Sequence, residues 1–189
     1  MILDDVKALG SVLADEGIEF IVVGGASLER TWSVGTRDID VAVAMADFSR
    51  VLQKLQAHRR FRNVDDDTIP IAGSEFFTGT RWTDVEFINP RPFSGTFPPD
   101  DFINYVRRHR SREVEGIVFA EPEIVWYMRL SIPDWMVYVE KIIRDVRAGV
   151  PLEILGKVLG ISKHFGNTDL MIPRIREARS VLKLRGLLE

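Results

Sequence analysis

The chain has 189 residues, 46% of them apolar and 28% charged, with a formal net charge of -3 and no cysteine. That length suits one well-cored domain, or one domain with a smaller helical appendage, and the composition excludes fibrous and low-complexity classes, disulfide frameworks and thiolate zinc sites. No apolar run approaches the roughly 20 residues that cross a bilayer, and "MILDDVKALG" lacks a signal-peptide pattern, so a cytoplasmic protein with no membrane partner is expected.

In chain order, "LDDVKALGSVLADEG" places Leu3, Val6, Leu9 and Leu13 at helical spacing and stops at Gly17. "FIVV" reads as a buried strand that breaks at Gly24 and Gly25, and "ASLERTW" as a short helix directly after it. "DIDVAVA" alternates as a strand does, and "ADFSRVLQKLQAH" follows as a helix with Asp47 as its expected N-cap. "EFFTG" and "WTDVEFI" read as a hairpin turning at Gly79 and Thr80. After a Pro-rich loop come a helical "DDFINYVRRHR" and a second hairpin in "REVEGIVFA", turning at Glu115 and Gly116. From Pro122 on, every pattern is helical. The expected division is therefore an α/β core over residues 1–120 and a helical region over 121–189. The expected class is α+β, a mixed sheet flanked by helices, with those helices on one face.

Residues two apart on a strand share a face, so Asp38 and Asp40 emerge together while Ile39 and Val41 point inward. Asp84 and Glu86 repeat the pattern in "TDVEF". If the two strands are neighbours, three or four carboxylates converge. Two unit charges about 4 Å apart repel by roughly 4 kcal/mol at an effective dielectric of 20, so such a cluster calls for protons or a cation. Oxygen-only ligands favour Mg²⁺ or Mn²⁺. The plain alternative is an acidic, solvated strand face. Gly24 and Gly25, at the end of a buried strand and the start of a helix, leave backbone N–H groups open to a phosphate; the plain alternative for them is a tight turn.

"VVGGASLERTWSVGTRDIDVAV" resembles the signature of the DNA polymerase β-like nucleotidyltransferase superfamily: an apolar strand, a Gly pair, a spacer, then Asp-apolar-Asp-apolar. More narrowly it looks like the branch containing AbiEii-type toxins, with Thr36 two residues before the first Asp and "VEFI" in place of a later "VDLL" strand. The resemblance covers roughly residues 18 to 148 and is strongest at the first motif. Glu86 stands where the family has a third Asp, with Asp84 as its rival. Arg129, at the end of "PEIVWYMRL", stands where the family has Lys, which keeps the charge but alters its geometry. Asp134 matches an acidic helix start, and could equally be a plain N-cap after Pro133. The basic residue common four positions before the first Asp is Val34 here, although Arg37 is adjacent to Asp38.

The resemblance implies a metal-dependent enzyme that transfers a nucleoside monophosphate from an NTP, such as ATP, to a hydroxyl. Asp38, Asp40 and Glu86, or Asp84, would hold Mg²⁺ or Mn²⁺. Gly24, Gly25, Ser27 and Arg37 would bind the nucleotide, Ser27 through its hydroxyl, and Arg129 would stabilise transition-state charge. The toxin branch implies an RNA acceptor such as a tRNA end, and an antitoxin protein as partner. The alternatives are transfer to a small molecule or a protein, and a degenerate nucleotide-binding or interaction module. The basic tracts "HRRFR" and "RRHRSR" are either solvated faces or phosphate-backbone contacts. His58, His109 and His164 are scattered and are expected at the surface rather than as a metal set. The tryptophans are expected in helix packing.

Overall fold

The computed structural model describes residues 2–64 and 71–188. Its elements run α1 (Ile2–Asp15), β1 (Phe20–Val23), α2 (Gly24–Trp32), β2 (Ile39–Val43), α3 (Met45–Ala57), β3 (Phe61–Arg62), β4 (Ile71–Phe77), β5 (Trp82–Ile88), α4 (Pro99–His109), β6 (Ser111–Val114), β7 (Ile117–Ala120), α5 (Pro122–Ser131), α6 (Trp135–Arg147), α7 (Ile154–His164) and α8 (Thr168–Leu184). The strands form one mixed sheet in the order β3-β4-β5-β2-β1-β7-β6. Its central strand is β2, antiparallel to β1 on one side and parallel to β5 on the other, and β1 in turn is parallel to β7. The fold is α+β, a mixed sheet flanked by helices.

Both expected hairpins form. β4 and β5 pair from Ile71↔Ile88 to Phe77↔Trp82, with β4 beginning four residues before the expected run. β6 and β7 close with Val114↔Ile117 around Glu115 (φ 53°) and Gly116 (φ 79°), the paired positive φ values that let a two-residue turn follow the strands' twist.

The helices cover both faces of the sheet, not one. Alternation along β1 divides the core: Val22 joins Val41, Val43 and Phe87 against α1 and α3, through Val6, Leu9, Leu13, Phe48, Val51 and Leu55. Ile21 and Val23 point the other way, with Ala42 and Ile88, against α2, α4 and the C-terminal helices. Helix α5 is buried at all ten positions, as a helix central to a layer must be, and Trp126 and Tyr127 have no exposure. The C-terminal helices thus share one core with the sheet. Trp82 is the exception to the packing expected of tryptophan: it is 37% exposed, with the Arg62 guanidinium 3.9 Å from its ring centroid.

Helix α3 is capped differently from expectation. It begins at Met45, after Ala44, and the Met45 N–H donates to Asp100 Oδ1 of α4 at 2.7 Å. Asp47 lies within the first turn and pairs with Arg50 at 3.0 Å. A carboxylate 55 positions away in sequence satisfies the helix end, a contact that local pattern does not contain.

Candidate active site

The site lies where β1 turns into α2. Val23 of β1 pairs with Asp40 of β2, so Gly24 leaves the sheet beside the Asp40 side chain. Gly24 has φ 64°, and a Cβ built on it would overlap the Asp40 carboxylate. A Cβ on Gly25 would come 2.6 Å from Thr36 Oγ1. The Thr36 hydroxyl in turn donates to Asp38 Oδ1 at 2.5 Å. Each glycine therefore clears space for part of the acidic motif: Gly24 for Asp40, and Gly25 for the threonine that orients Asp38.

The third carboxylate comes from β5. The parallel register sets Asp40 directly beside Glu86, with Ile39 beside Val85 and Val41 beside Phe87. Asp40 and Glu86 share the sheet face of Ala42 and Ile88, and both line a cavity of about 100 Å³. Its wall is otherwise mostly apolar, with Phe93, Val125, Met128 and Ile132. Asp38 and Asp84 lie on the adjoining, wider side, where about 440 Å³ is lined also by Gly25, Thr36, Arg37 and Asp40. Glu86 is thus the neighbour of Asp40, and exposed Asp84 shares the wider cavity with Asp38.

Burial pushes the Asp40 carboxyl up to about 7, and the like charges of Asp38 and Glu86 add to it; Lys141 and Arg129 offset only part. Tyr138, on the opposite wall, has its phenol pushed up by burial and then by Glu86 and Asp40. The excess negative potential at this point is what a divalent cation would relieve, and three carboxylates are a hard-oxygen donor set. As the side chains stand, no group of three acidic or imidazole side chains is gathered to hold one ion among the described residues.

Arg129 reaches both cavities from the last turn of α5, but its charge is committed. It is 6% exposed and forms an ion pair with Asp145 of α6, which is fully buried and also accepts the Trp126 indole N–H at 2.9 Å. Ser27 is turned away from the phosphate position expected of it. Its hydroxyl is 1% exposed and donates to the Ala120 carbonyl of β7, because that side of α2 packs on the sheet. Arg37 is exposed on the rim of the wider cavity. Asp134 stands exposed at the start of α6, makes no capping hydrogen bond and lines neither cavity. No histidine lines either cavity.

Four contributors are absent from the sequence reading: Tyr138, Lys141, Arg144 and Asp145, all on α6. They fall at i, i+3, i+6 and i+7, a stripe beside the apolar Val139, Ile142 and Ile143. An acid and a base on the flank of an apolar helix face were the available signal.

The basic tracts are largely occupied. Arg107 pairs with Glu19, Arg110 with Glu123 at 3.4 Å, and Arg62 with Glu75 at 2.9 Å. Arg112 bonds Thr31 Oγ1 at 3.0 Å, whereas Arg108 is exposed.

No protein-family model matches the chain, and no curated protein matches it. Among solved structures it is similar to an antigenic nucleotidyltransferase-like protein from Paracoccidioides brasiliensis, at 14% identity and a TM-score of 0.45, covering 90% of each chain. It is similar also to a candidate nucleotidyltransferase from H. pylori, at 10% identity and a TM-score of 0.41, covering 96% of each chain. A third likeness is to JHP933 from Helicobacter pylori, at 11% identity and a TM-score of 0.40, covering 96% of this chain and 92% of that one. All three are distant resemblances of chain path.

Proposed function

We propose that the protein transfers a nucleoside monophosphate from an NTP to a hydroxyl-bearing acceptor. One observation carries this reading: Asp40 and Glu86 stand side by side on parallel strands, against a glycine turn that a single Cβ would close. A structural acidic surface has no need of such a turn or of carboxylates set into a cavity.

In this reading Asp38, Asp40 and Glu86 hold Mg²⁺ or Mn²⁺, with Asp84 as a further oxygen donor on the wider side. The ions, when bound, supply Lewis-acid activation of the α-phosphoryl group and of the acceptor hydroxyl. Thr36 fixes the direction of Asp38 through its hydrogen bond. Gly24 and Gly25 begin α2, where backbone N–H groups lack helical partners and would be offered to phosphate oxygens. Arg37 faces the same cavity. The acceptor oxygen forms a bond to the α-phosphorus while the bond to pyrophosphate breaks, and the hydroxyl proton passes to a carboxylate or solvent. Arg129, fixed by Asp145, lines the cavity.

The sequence resemblance to AbiEii-type toxins supports an RNA end as acceptor and an antitoxin as partner. A second reading, a small hydroxylated molecule or a protein as acceptor, is favoured by the ion pairs that occupy the basic tracts. The test is incubation with Mg²⁺, each radiolabelled NTP, and total RNA, purified protein or a metabolite pool, with Asp38→Ala as the blank. Label in one pool, lost with Asp38→Ala, is the expected result and identifies the acceptor; no label in any pool refutes nucleotidyl transfer. Where RNA is labelled, Arg108→Glu separates backbone contact from its absence, because exposed Arg108 forms no ion pair among the described residues.

A further inference from the structure

Asp40, Arg129 and Lys141 are the residues that line both cavities, so Lys141 is the second cation at their junction. The two cations differ in what they can offer a ligand. Arg129 is buried and bound to the fully buried Asp145, so its charge is largely cancelled. Lys141 is exposed and forms no ion pair among the described residues. Its Nζ rests 4.9 Å from the ring centroid of Tyr138, one helical turn earlier on α6, which holds the ammonium toward the cavity without neutralising it. Arg144, a turn further along and also exposed, lines the wider cavity. Acids from the sheet thus form one wall, and uncommitted cations from α6 form the other.

We propose that Lys141, with Arg144 beside it, binds the β- and γ-phosphates of the nucleoside triphosphate, and that Arg129 is a positioning residue that joins α5 to α6 through Asp145. The proposal rests on the nucleotidyl-transfer reading. An ammonium is a compact charge with three donors, suited to a phosphate tail whose oxygens vary in position, whereas the buried guanidinium is fixed in one plane. Charge builds on the pyrophosphate as it leaves, which is where an unpaired cation has most effect.

Calorimetric titration of the full chain in Mg²⁺ with ATP, GTP, CTP and UTP, then with the di- and monophosphates of the tightest binder, tests this. Lys141→Met is expected to weaken triphosphate binding about 10- to 100-fold and monophosphate binding less than about threefold, with Lys141→Arg close to wild type. Equal weakening of tri- and monophosphate, or no weakening, overturns the proposal, since a lysine that only balances the carboxylates would not distinguish phosphate number. If the wild-type chain binds no nucleotide while folded, the nucleotidyl-transfer reading itself fails, and the Lys141 proposal with it.

Discussion

Replacing Asp40 with Asn is expected to stabilise the metal-free protein at neutral and alkaline pH while destroying its function. Asp40 ionises at about 7 in the folded chain, against 3.8 for the unperturbed group, because burial and the charges of Asp38 and Glu86 oppose its carboxylate. That difference of about 3 units, at 1.36 kcal/mol each, is a penalty of about 4 kcal/mol. The folded pKa lies above the unfolded one, so the penalty is nearly absent below about pH 4. It grows as the unfolded chain loses its proton and is complete above pH 7. At about 2 to 4 °C per kcal/mol for a chain of this size, Asp40→Asn should melt roughly 8 to 16 °C above wild type at pH 8 in chelator, with the gap closing toward pH 4. Thermal melts across pH, followed by circular dichroism, measure this. A pH-independent gap, or a variant no more stable than wild type at pH 8, would refute the claim that Asp40 is held against its own electrostatics.

Mg²⁺ should raise the melting temperature of the wild-type chain, by about 2.7 kcal/mol of stability at 100 times its dissociation constant, and should not raise that of Asp38→Ala. Gly24→Ala should lose both stability and labelling activity, because its Cβ overlaps the Asp40 carboxylate and its φ is 64°. Combined with Asp40→Ala it should cost less than the sum of the two, because the carboxylate overlap is gone and there remain the left-handed backbone strain of about 1 to 2 kcal/mol and a 2.8 Å approach to the residue-40 Cβ; the two substitutions are therefore non-additive in urea denaturation. Asp145→Ala should cost about 3 to 5 kcal/mol in the same assay, since it strands the Arg129 guanidinium in the core; a loss below about 1 kcal/mol would mean that the pair is not buried in solution.

What the sequence discloses follows the range of the forces involved. The motif from Val22 to Val43 was legible because strand alternation and a glycine turn act within a few residues. The pairing of "DID" with "TDVEF" required only that the two strands be neighbours, and they are, in the register that puts Asp40 beside Glu86. The direction of Ser27 was not legible. It depends on how α2 is rotated against β7, and Ala120 lies 93 positions away. The partner of Arg129 was not legible either, because Asp145 reaches it only when α5 and α6 pack together. The helices appeared destined for one face because each amphipathic stripe demands cover without saying which face supplies it. Opposed residues such as Val22 and Val23 show that both faces needed it.

The same alternation explains why the site and a main core layer share a face. Ala42 and Ile88 point into the layer that contains α5, and Asp40 and Glu86, two positions earlier on each strand, must point the same way. A carboxylate pair directed at a hydrophobic layer is tolerable only near its edge, where a cavity and a basic helix meet it. Helix α6 supplies that edge: Ile142 and Ile143 continue the core, while Lys141 faces the cavity that Asp40 enters. Moving the acids one residue along either strand would place them under α1 and α3, among the buried Val41, Phe87 and Leu55. The register of β2 against β5 therefore decides more than sheet stability. It selects which face of the protein carries the charge, and with it the helix whose cations any phosphate ligand would meet.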